Sequence, residues 1–168
     1  MEVRLARPEE YEAIGEVTVA AYWAVNPDSE AAIRDLTSYE PELRAVADRA
    51  AAAEVLVAAG GEGEVLGAVT FVPDADSALA EFDAPDTASI RMLAVAPGAQ
   101  RRGVGEALAR ACVDRAATAG RAAVLLHSTE WMTIAHRLYQ RMGFVRAEGL
   151  DWQVAPDFRL LAFRLDLR

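Results

Sequence analysis

Lysine is missing from this chain: all 17 basic residues are arginine. Chemistry that needs a side-chain amine is thereby excluded, including Schiff bases, pyridoxal phosphate anchoring and the lysine of a nucleotide-binding P-loop. Cysteine is scarce too. Cys112 stands alone, which rules out an internal disulfide and any Cys-x-x-Cys metal or redox motif. The only two histidines, His127 and His136, lie nine residues apart with no cysteine near them, so no metal is expected. Long apolar runs are lacking, stretches such as Ala122 to Leu126 being too short to span a bilayer. The amino end has no basic stretch followed by an apolar one, which points to a cytoplasmic address. Positive charge is in deficit, 17 basic against 26 acidic residues for a net charge of −9. Such a surface repels phosphate backbones and anionic lipid, arguing against nucleic-acid or membrane partners and mildly favouring cationic small molecules or basic peptides.

What is present reads as one globular domain over residues 1–168, with 53% hydrophobic and 26% charged residues and no repeat or linker. Val3 to Ala6 predicts a strand running into Arg7-Pro8. From Glu9 onward, Ile14, Val17, Thr18 and Ala21 recur at helical spacing until Asn26-Pro27-Asp28 breaks the pattern. A second helix starts at Ser29 and reaches about Arg34, and Pro41 interrupts it or opens another that runs to about Ala53. Two strands, Glu54 to Ala59 and Glu64 to Val72, flank Gly60-Gly61-Glu62-Gly63, a hairpin signal. Residues 73–86, acidic and broken by prolines, predict a loop. A strand over 88–95, a helix over 103–119, an unalternating apolar strand over 122–127 and a helix over 131–142 follow. That last helix turns Ile134, Ala135, Leu138 and Tyr139 inward, and strands over 144–154 and 158–167 close the chain. The order predicts a mixed α/β sandwich, parallel in the middle and antiparallel on both sides.

The chemically informative stretch is Gln100-Arg101-Arg102-Gly103-Val104-Gly105, a tight turn that enters a helix. Unpaired N–H groups and the positive end of the helix dipole favour an anion there, and glycine lets backbone approach a phosphate. A dinucleotide-binding fingerprint would want Gly or Ala where Leu108 stands, and a βαβ unit near the start of the chain; neither is found. A second constellation lies at Ala135-His136-Arg137-Leu138-Tyr139-Gln140-Arg141-Met142-Gly143-Phe144.

Together these segments resemble the GNAT superfamily of N-acetyltransferases, in which Gln/Arg-x-x-Gly-x-Gly/Ala precedes a helix and Ala-x-x-Leu-Tyr-x-x-x-Gly-Phe follows later. The element order resembles that family over essentially the whole chain. The resemblance implies a mostly antiparallel central sheet flanked by helices and splayed at its two central parallel strands. It implies acetyl-CoA as co-substrate, its pyrophosphate on Gln100, Arg101, Arg102, Gly103, Val104 and Gly105. The pantetheine arm would run as an extra strand along Leu93, Ala94 and Val95. Tyr139 matches the tyrosine that protonates the departing thiolate, a role its phenol suits at neutral pH.

The pattern departs from the family at two positions. Ser89 stands where many members carry a glutamate base, and Met132 stands where an asparagine is usual. Glu81, Asp83, Asp86, Glu130 and His127 are the remaining candidates for the base, His127 because it ends the buried strand near the expected cleft. Tyr22, Trp23 and Trp131 are candidates for lining an acceptor pocket. Trp152 lies in a late strand that family members use for pairing subunits, which implies a homodimer. The expected activity is acetyl transfer to a primary amine of a small molecule or peptide. The alternative is a CoA-binding sensor that has lost turnover.

Overall fold

The computed structural model describes all 168 residues. Strand β1 (Glu2–Leu5) leads through a single 3-10 turn at Pro8–Glu10 into α1 (Tyr11–Val25), α2 (Glu30–Arg44) and α3 (Val46–Ala52). Strands β2 (Glu54–Ala59), β3 (Val65–Val72) and β4 (Thr87–Val95) come next, then α4 (Val104–Thr118), β5 (Ala123–Thr129) and α5 (Thr133–Arg141). The chain closes with β6 (Val145–Arg146), β7 (Trp152–Ala155) and β8 (Phe158–Asp166). All eight strands join one sheet in the order β1-β2-β3-β4-β5-β8-β6, with β7 also on β8. Only β4 and β5 pair in parallel; every other pair is antiparallel.

Alternation along the strands divides the core between the two faces. Leu56, Ile90, Val124 and Leu126 meet Leu108, Cys112 and Tyr139 of α4 and α5 on one side. Val55, Val57 and Ala68 meet Ile14 of α1 and Val46 of α3 on the other. Side chains as fully enclosed as Leu108 and Leu126 contribute about 2 kcal/mol each through the apolar surface they remove from water. The near-continuous apolar run of β5 follows from this cover on both faces.

The structure departs from the sequence reading in the second helical region. Helix α2 begins where Ser29 caps it, accepting from the Ala32 N–H at 3.2 Å. It then runs through Pro41 instead of stopping or restarting there. A proline in the helix interior removes one intrahelical bond. The buried guanidinium of Arg49 supports the end of the helix, donating to the Leu43 carbonyl at 3.1 Å and to that of Glu42, which also accepts from the Ala45 N–H. The expected strand over 144–154 is broken by a 3-10 turn at Glu148–Leu150, and Ile134 points to solvent at 71% exposure instead of inward.

Candidate active site at the splay of the central strands

Strands β4 and β5 pair only from Thr87 with Ala123 to Ile90 with Leu126, and beyond that point they diverge. The divergence begins at a β-bulge. Between their pairings with Thr70 and Ala68, Arg91 and Ala94 are three residues apart on β4, against two on β3. Within the bulge Met92 takes a left-handed φ of 54°, uncommon for a residue with a side chain. Alternation breaks there. Arg91 reaches Tyr39 of α2, and Met92 packs with Val19, Leu36 and Leu43, so consecutive residues serve the same face. Leu93, Ala94 and Val95 follow, with β3 along one edge and no strand along the edge toward β5.

The loop after β4 leads straight into α4. Arg101 and Gly103 both have positive φ, 61° and 78°. Gly103 is the residue before α4, and no side chain caps the helix. The Ala107 N–H is the one that bonds back to the Gly103 carbonyl, at 3.0 Å, which leaves the N–H groups of Val104, Gly105 and Glu106 free for an anion. A Cβ built at Gly103 would meet nothing within 4 Å, so the cradle opens outward. At Gly105 it would lie in ordinary contact with Val95 at 3.4 Å and Leu138 at 3.5 Å, where β4, α4 and α5 come together. Gln100, Arg101 and Arg102 are exposed. Neither arginine joins an ion pair, whereas Arg110, Arg146 and Arg168 each hold a carboxylate. Uncapped N–H groups, an open cradle and two unspent guanidinium groups suit a pyrophosphate, so the residues present fit the cofactor that the motif implies.

Tyr139 sits on α5 against this opening, buried between Phe144 and Phe163 at ring-centroid distances of 5.7 and 5.9 Å. Burial pushes its pKa well above the ordinary phenol value, so the hydroxyl keeps its proton. Cys112 is wholly enclosed and its thiol is also pushed up by burial, so it is an inert core residue.

On the opposite face of the sheet a cleft of about 810 Å3 lies between α1–α2, the 73–86 loop and the β7–β8 hairpin. Tyr22, His127 and Trp131 line it. Trp23 does not; it faces outward and its indole donates to Glu40 at 3.0 Å, because neighbouring positions on α1 point to different sides. Ser89 is also outside the lining. It lies where β4 and β5 are still paired, opposite Leu125, and is buried there. Two of the other candidate bases are engaged elsewhere, Glu130 with Arg159 and Asp86 with Arg168. His136 donates from Nε2 to the Thr129 carbonyl at 2.9 Å, and burial lowers its pKa.

The inner end of the cleft carries a network that the sequence reading did not assemble. Arg91 pairs through Nε with the Glu81 carboxylate at 3.1 Å, and donates from its other nitrogens to the Leu79 carbonyl at 3.2 Å and the Tyr39 hydroxyl at 3.1 Å. Burial opposes the charge on Arg91, but Tyr39 and Glu81 hold its pKa above the ordinary value. Tyr39 itself is pushed up to about 12 by burial. The second oxygen of Glu81 lies 3.8 Å from Nδ1 of His127. His127 Nε2 is 2.9 Å from the Leu150 carbonyl, an acceptor only, so Nε2 carries the proton and Nδ1 of the neutral ring is a bare lone pair. One signal was available in the sequence: Arg91 is a charged residue in the middle of a buried strand. No cluster of three or more His, Cys, Asp or Glu side chains is placed to hold a metal ion, and no helix is long and apolar enough to cross a membrane.

Comparison with known proteins agrees with this fold. Among solved structures, a GCN5-related N-acetyltransferase from Kribbella flavida superposes with a TM-score of 0.72 at 24% identity, covering 99% of this chain and 97% of its own. A putative acetyltransferase from Salmonella typhimurium with its cofactor acetyl-CoA gives 0.68 at 21% identity, over 100% and 94% of the two chains. The PaiA N-acetyltransferase from Thermoplasma acidophilum, in complex with coenzyme A, gives 0.72 at 13% identity over 96% of each. A search of curated proteins finds no match. The model of the Acetyltransferase (GNAT) family matches residues 18–144, from the middle of α1 to the Gly-Phe that follows α5. With both motifs and the splayed strands inside that match, the chain belongs to the GNAT acetyltransferase family.

Proposed function

We propose that residues 1–168 form a single acetyl-CoA-dependent N-acetyltransferase domain of the cytoplasm, which transfers an acetyl group to the primary amine of a small molecule or peptide. The observation that carries this reading is the uncapped, arginine-flanked start of α4 beside the open edge of β4. Val104, Gly105 and Glu106 would hold the pyrophosphate through backbone N–H groups, with Arg101 and Arg102 adding charge and Gln100 a neutral donor. Backbone groups of Leu93, Ala94 and Val95 would pair with the pantetheine amides. When bound, acetyl-CoA supplies an acyl carbon activated as a thioester. Tyr139 then gives its proton to the departing sulfur. Its high pKa does not prevent this, because the dry slot that disfavours a phenolate disfavours a bare thiolate as well. His127, whose Nε2 is held by the Leu150 carbonyl and whose Nδ1 has no hydrogen-bond partner, would serve as the base for the incoming amine.

The alternative of a catalytically idle sensor drew its support from Ser89 and Met132, and an available base in the cleft weakens it. Pairing of two copies would fall on β7, where Trp152 and Val154 stand partly exposed at the mouth of the cleft. Acetyl-CoA at a hundred times its dissociation constant should stabilise the fold by about 2.7 kcal/mol through mass action. A melting-temperature shift at millimolar acetyl-CoA, followed by free-thiol release against an amine panel, tests the reading. An unchanged melting temperature would overturn it.

A further inference from the structure

The cleft contains more chemistry than acetyl transfer alone requires. Its walls are aromatic, built from Tyr22, Tyr39, Phe82, Trp131, Trp152 and Phe158. Its charged side chains are the carboxylates of Asp35, Glu42, Glu81, Asp83 and Asp151 against the lone guanidinium of Arg91. That guanidinium is already spent on Glu81, and Asp151 is neutralised by Arg146 at 2.6 and 2.8 Å. Asp35 and Asp83 keep no cation of their own. The neighbour of Asp35, Arg34, is engaged with Asp157, and burial raises the Asp35 pKa.

His127 independently marks a missing ligand. Its side chain is 4% exposed, stacked on Phe82 at 4.2 Å, with Trp152 at 6.0 Å on another side. Nδ1 is buried and has no hydrogen-bond partner, and the Glu81 carboxylate 3.8 Å away is too far to serve as one. Two acceptors 3.8 Å apart suit a donor with several protons, and a primary ammonium has three.

We infer that the acceptor is a primary amine with an apolar body and no carboxylate, which enters as an ammonium ion and bridges Glu81 Oε2 and His127 Nδ1. This rests on the acetyltransferase reading above and adds the class of substrate to it. Aromatic faces and carboxylates attract the cation, while the free carboxylates of Asp35 and Asp83 repel an amino acid's carboxylate. His127 Nδ1 takes one ammonium proton and passes it to solvent. The nitrogen lone pair forms the C–N bond as the C–S bond breaks. A second proton replaces the one Tyr139 gives to sulfur, and the third stays on the amide nitrogen. Glu81 and Asp151 are the acidic groups facing His127, with Arg91 behind Glu81. Glu81 is a positioning and charge-matching residue, held in place by Arg91.

The test uses four probes: phenethylamine, phenylalanine, 2-phenylethanol and ethylamine. Binding is read without cofactor from the fluorescence of Trp131 and Trp152, and turnover with acetyl-CoA from thiol release. Phenethylamine should bind and turn over at least about tenfold better than the other three, the scale of one charge-assisted hydrogen bond. In Glu81→Gln amine affinity should fall by about tenfold while the melting shift with acetyl-CoA persists. In His127→Gln kcat should fall while the melting shift with acetyl-CoA persists. Equal or better binding of phenylalanine or 2-phenylethanol would overturn the inference, as would unchanged phenethylamine affinity in Glu81→Gln. If Glu81→Gln fails to fold, Asp35→Asn decides by the same reading, since it should narrow the margin over phenylalanine. Loss of the acetyl-CoA shift in the parent protein would instead overturn the acetyltransferase reading itself.

Discussion

The start of α4 and the cleft around His127 lie on opposite faces of one opening between β4 and β5, yet they are built and charged in opposite ways. The first comes from six consecutive residues, Gln100 to Gly105, with backbone N–H groups as its donors and two unpaired arginines beside it. The second is gathered from α1, α2, the 73–86 loop, β4, β5 and the β7–β8 hairpin, and its surplus charge is negative. On the proposed function, an anionic cofactor and a cationic acceptor would be sorted to their own sides before either reaches the reacting atoms. Because backbone donors do not titrate, the α4 side should be indifferent to pH near neutrality, and pH dependence should come from the cleft.

Tyr139 stands between the two regions, and its hydroxyl is where the comparison breaks first. In Tyr139→Phe the ring and its contacts with Phe144 and Phe163 remain, so stability and cofactor affinity should hold while turnover falls by about 10²- to 10⁴-fold. A low-pKa aryl thioester donor should recover part of that loss. Unchanged kcat where chemistry limits the rate would reduce Tyr139 to packing.

Gly103→Val comes next and separates the α4 side from the cleft. The branched side chain fills the cradle and sits at a φ of 78°, which by itself costs about 1–2 kcal/mol of stability. Calorimetry should find acetyl-CoA affinity down by about a hundredfold, a loss of roughly 2.7 kcal/mol, with the circular-dichroism spectrum retained. Cleft fluorescence with amines should not change. Normal cofactor affinity in this variant would remove the pyrophosphate from the loop.

A smaller effect, about tenfold in cofactor affinity, is expected from replacing Arg101 and Arg102 together with glutamine, the scale of charge-assisted contacts at an exposed site. The affinity difference between parent and variant should shrink as salt rises, since exposed charges are screened. A salt-independent difference would mean the arginines act through loop conformation.

The smallest expected change lies far from both regions. Arg4 donates to both oxygens of Glu10 at 2.9 and 2.7 Å, and this bond holds the Glu10 carboxyl at about 2, against an ordinary 4.5. Its folded pKa is depressed, so the stabilisation is complete above pH 4.5 and is lost as pH falls through about 2. Glu10→Gln should lower stability by roughly 1 kcal/mol at pH 7, with the difference from the parent closing in acid. Neither cofactor nor amine binding should change, and a change in either would mean that β1 and the Pro8–Glu10 turn are coupled to the site.

The elements whose signals are local were legible from the residues alone. The β2–β3 hairpin follows from its glycines, β5 from an apolar run covered on both faces, and the α4 entry from Gly103 and the arginines before it. Pro41 misled because its cost as an isolated residue is local, while Arg49, eight positions on, supplies donors that reach the end of the same helix. Ile134 misled because α5 buries only a narrow stripe, with Tyr139 the one fully buried residue on it.

By itself the sequence determined the family, most of the order of the elements and the glycine turn that enters α4, since each rests on neighbours along the chain and on backbone geometry that a few residues dictate. Only the tertiary structure decided the cleft on the other face. Glu81 reaches His127 because Arg91, turned out of alternation by the bulge at Met92, ties the 73–86 loop to β4 and to Tyr39 of α2. Trp23 leaves the cleft and Tyr22 enters it through one step of helical rotation. Contacts between residues 46 and 52 positions apart leave no periodic trace in the sequence; they form where packing of the sheet and helices brings the groups within reach.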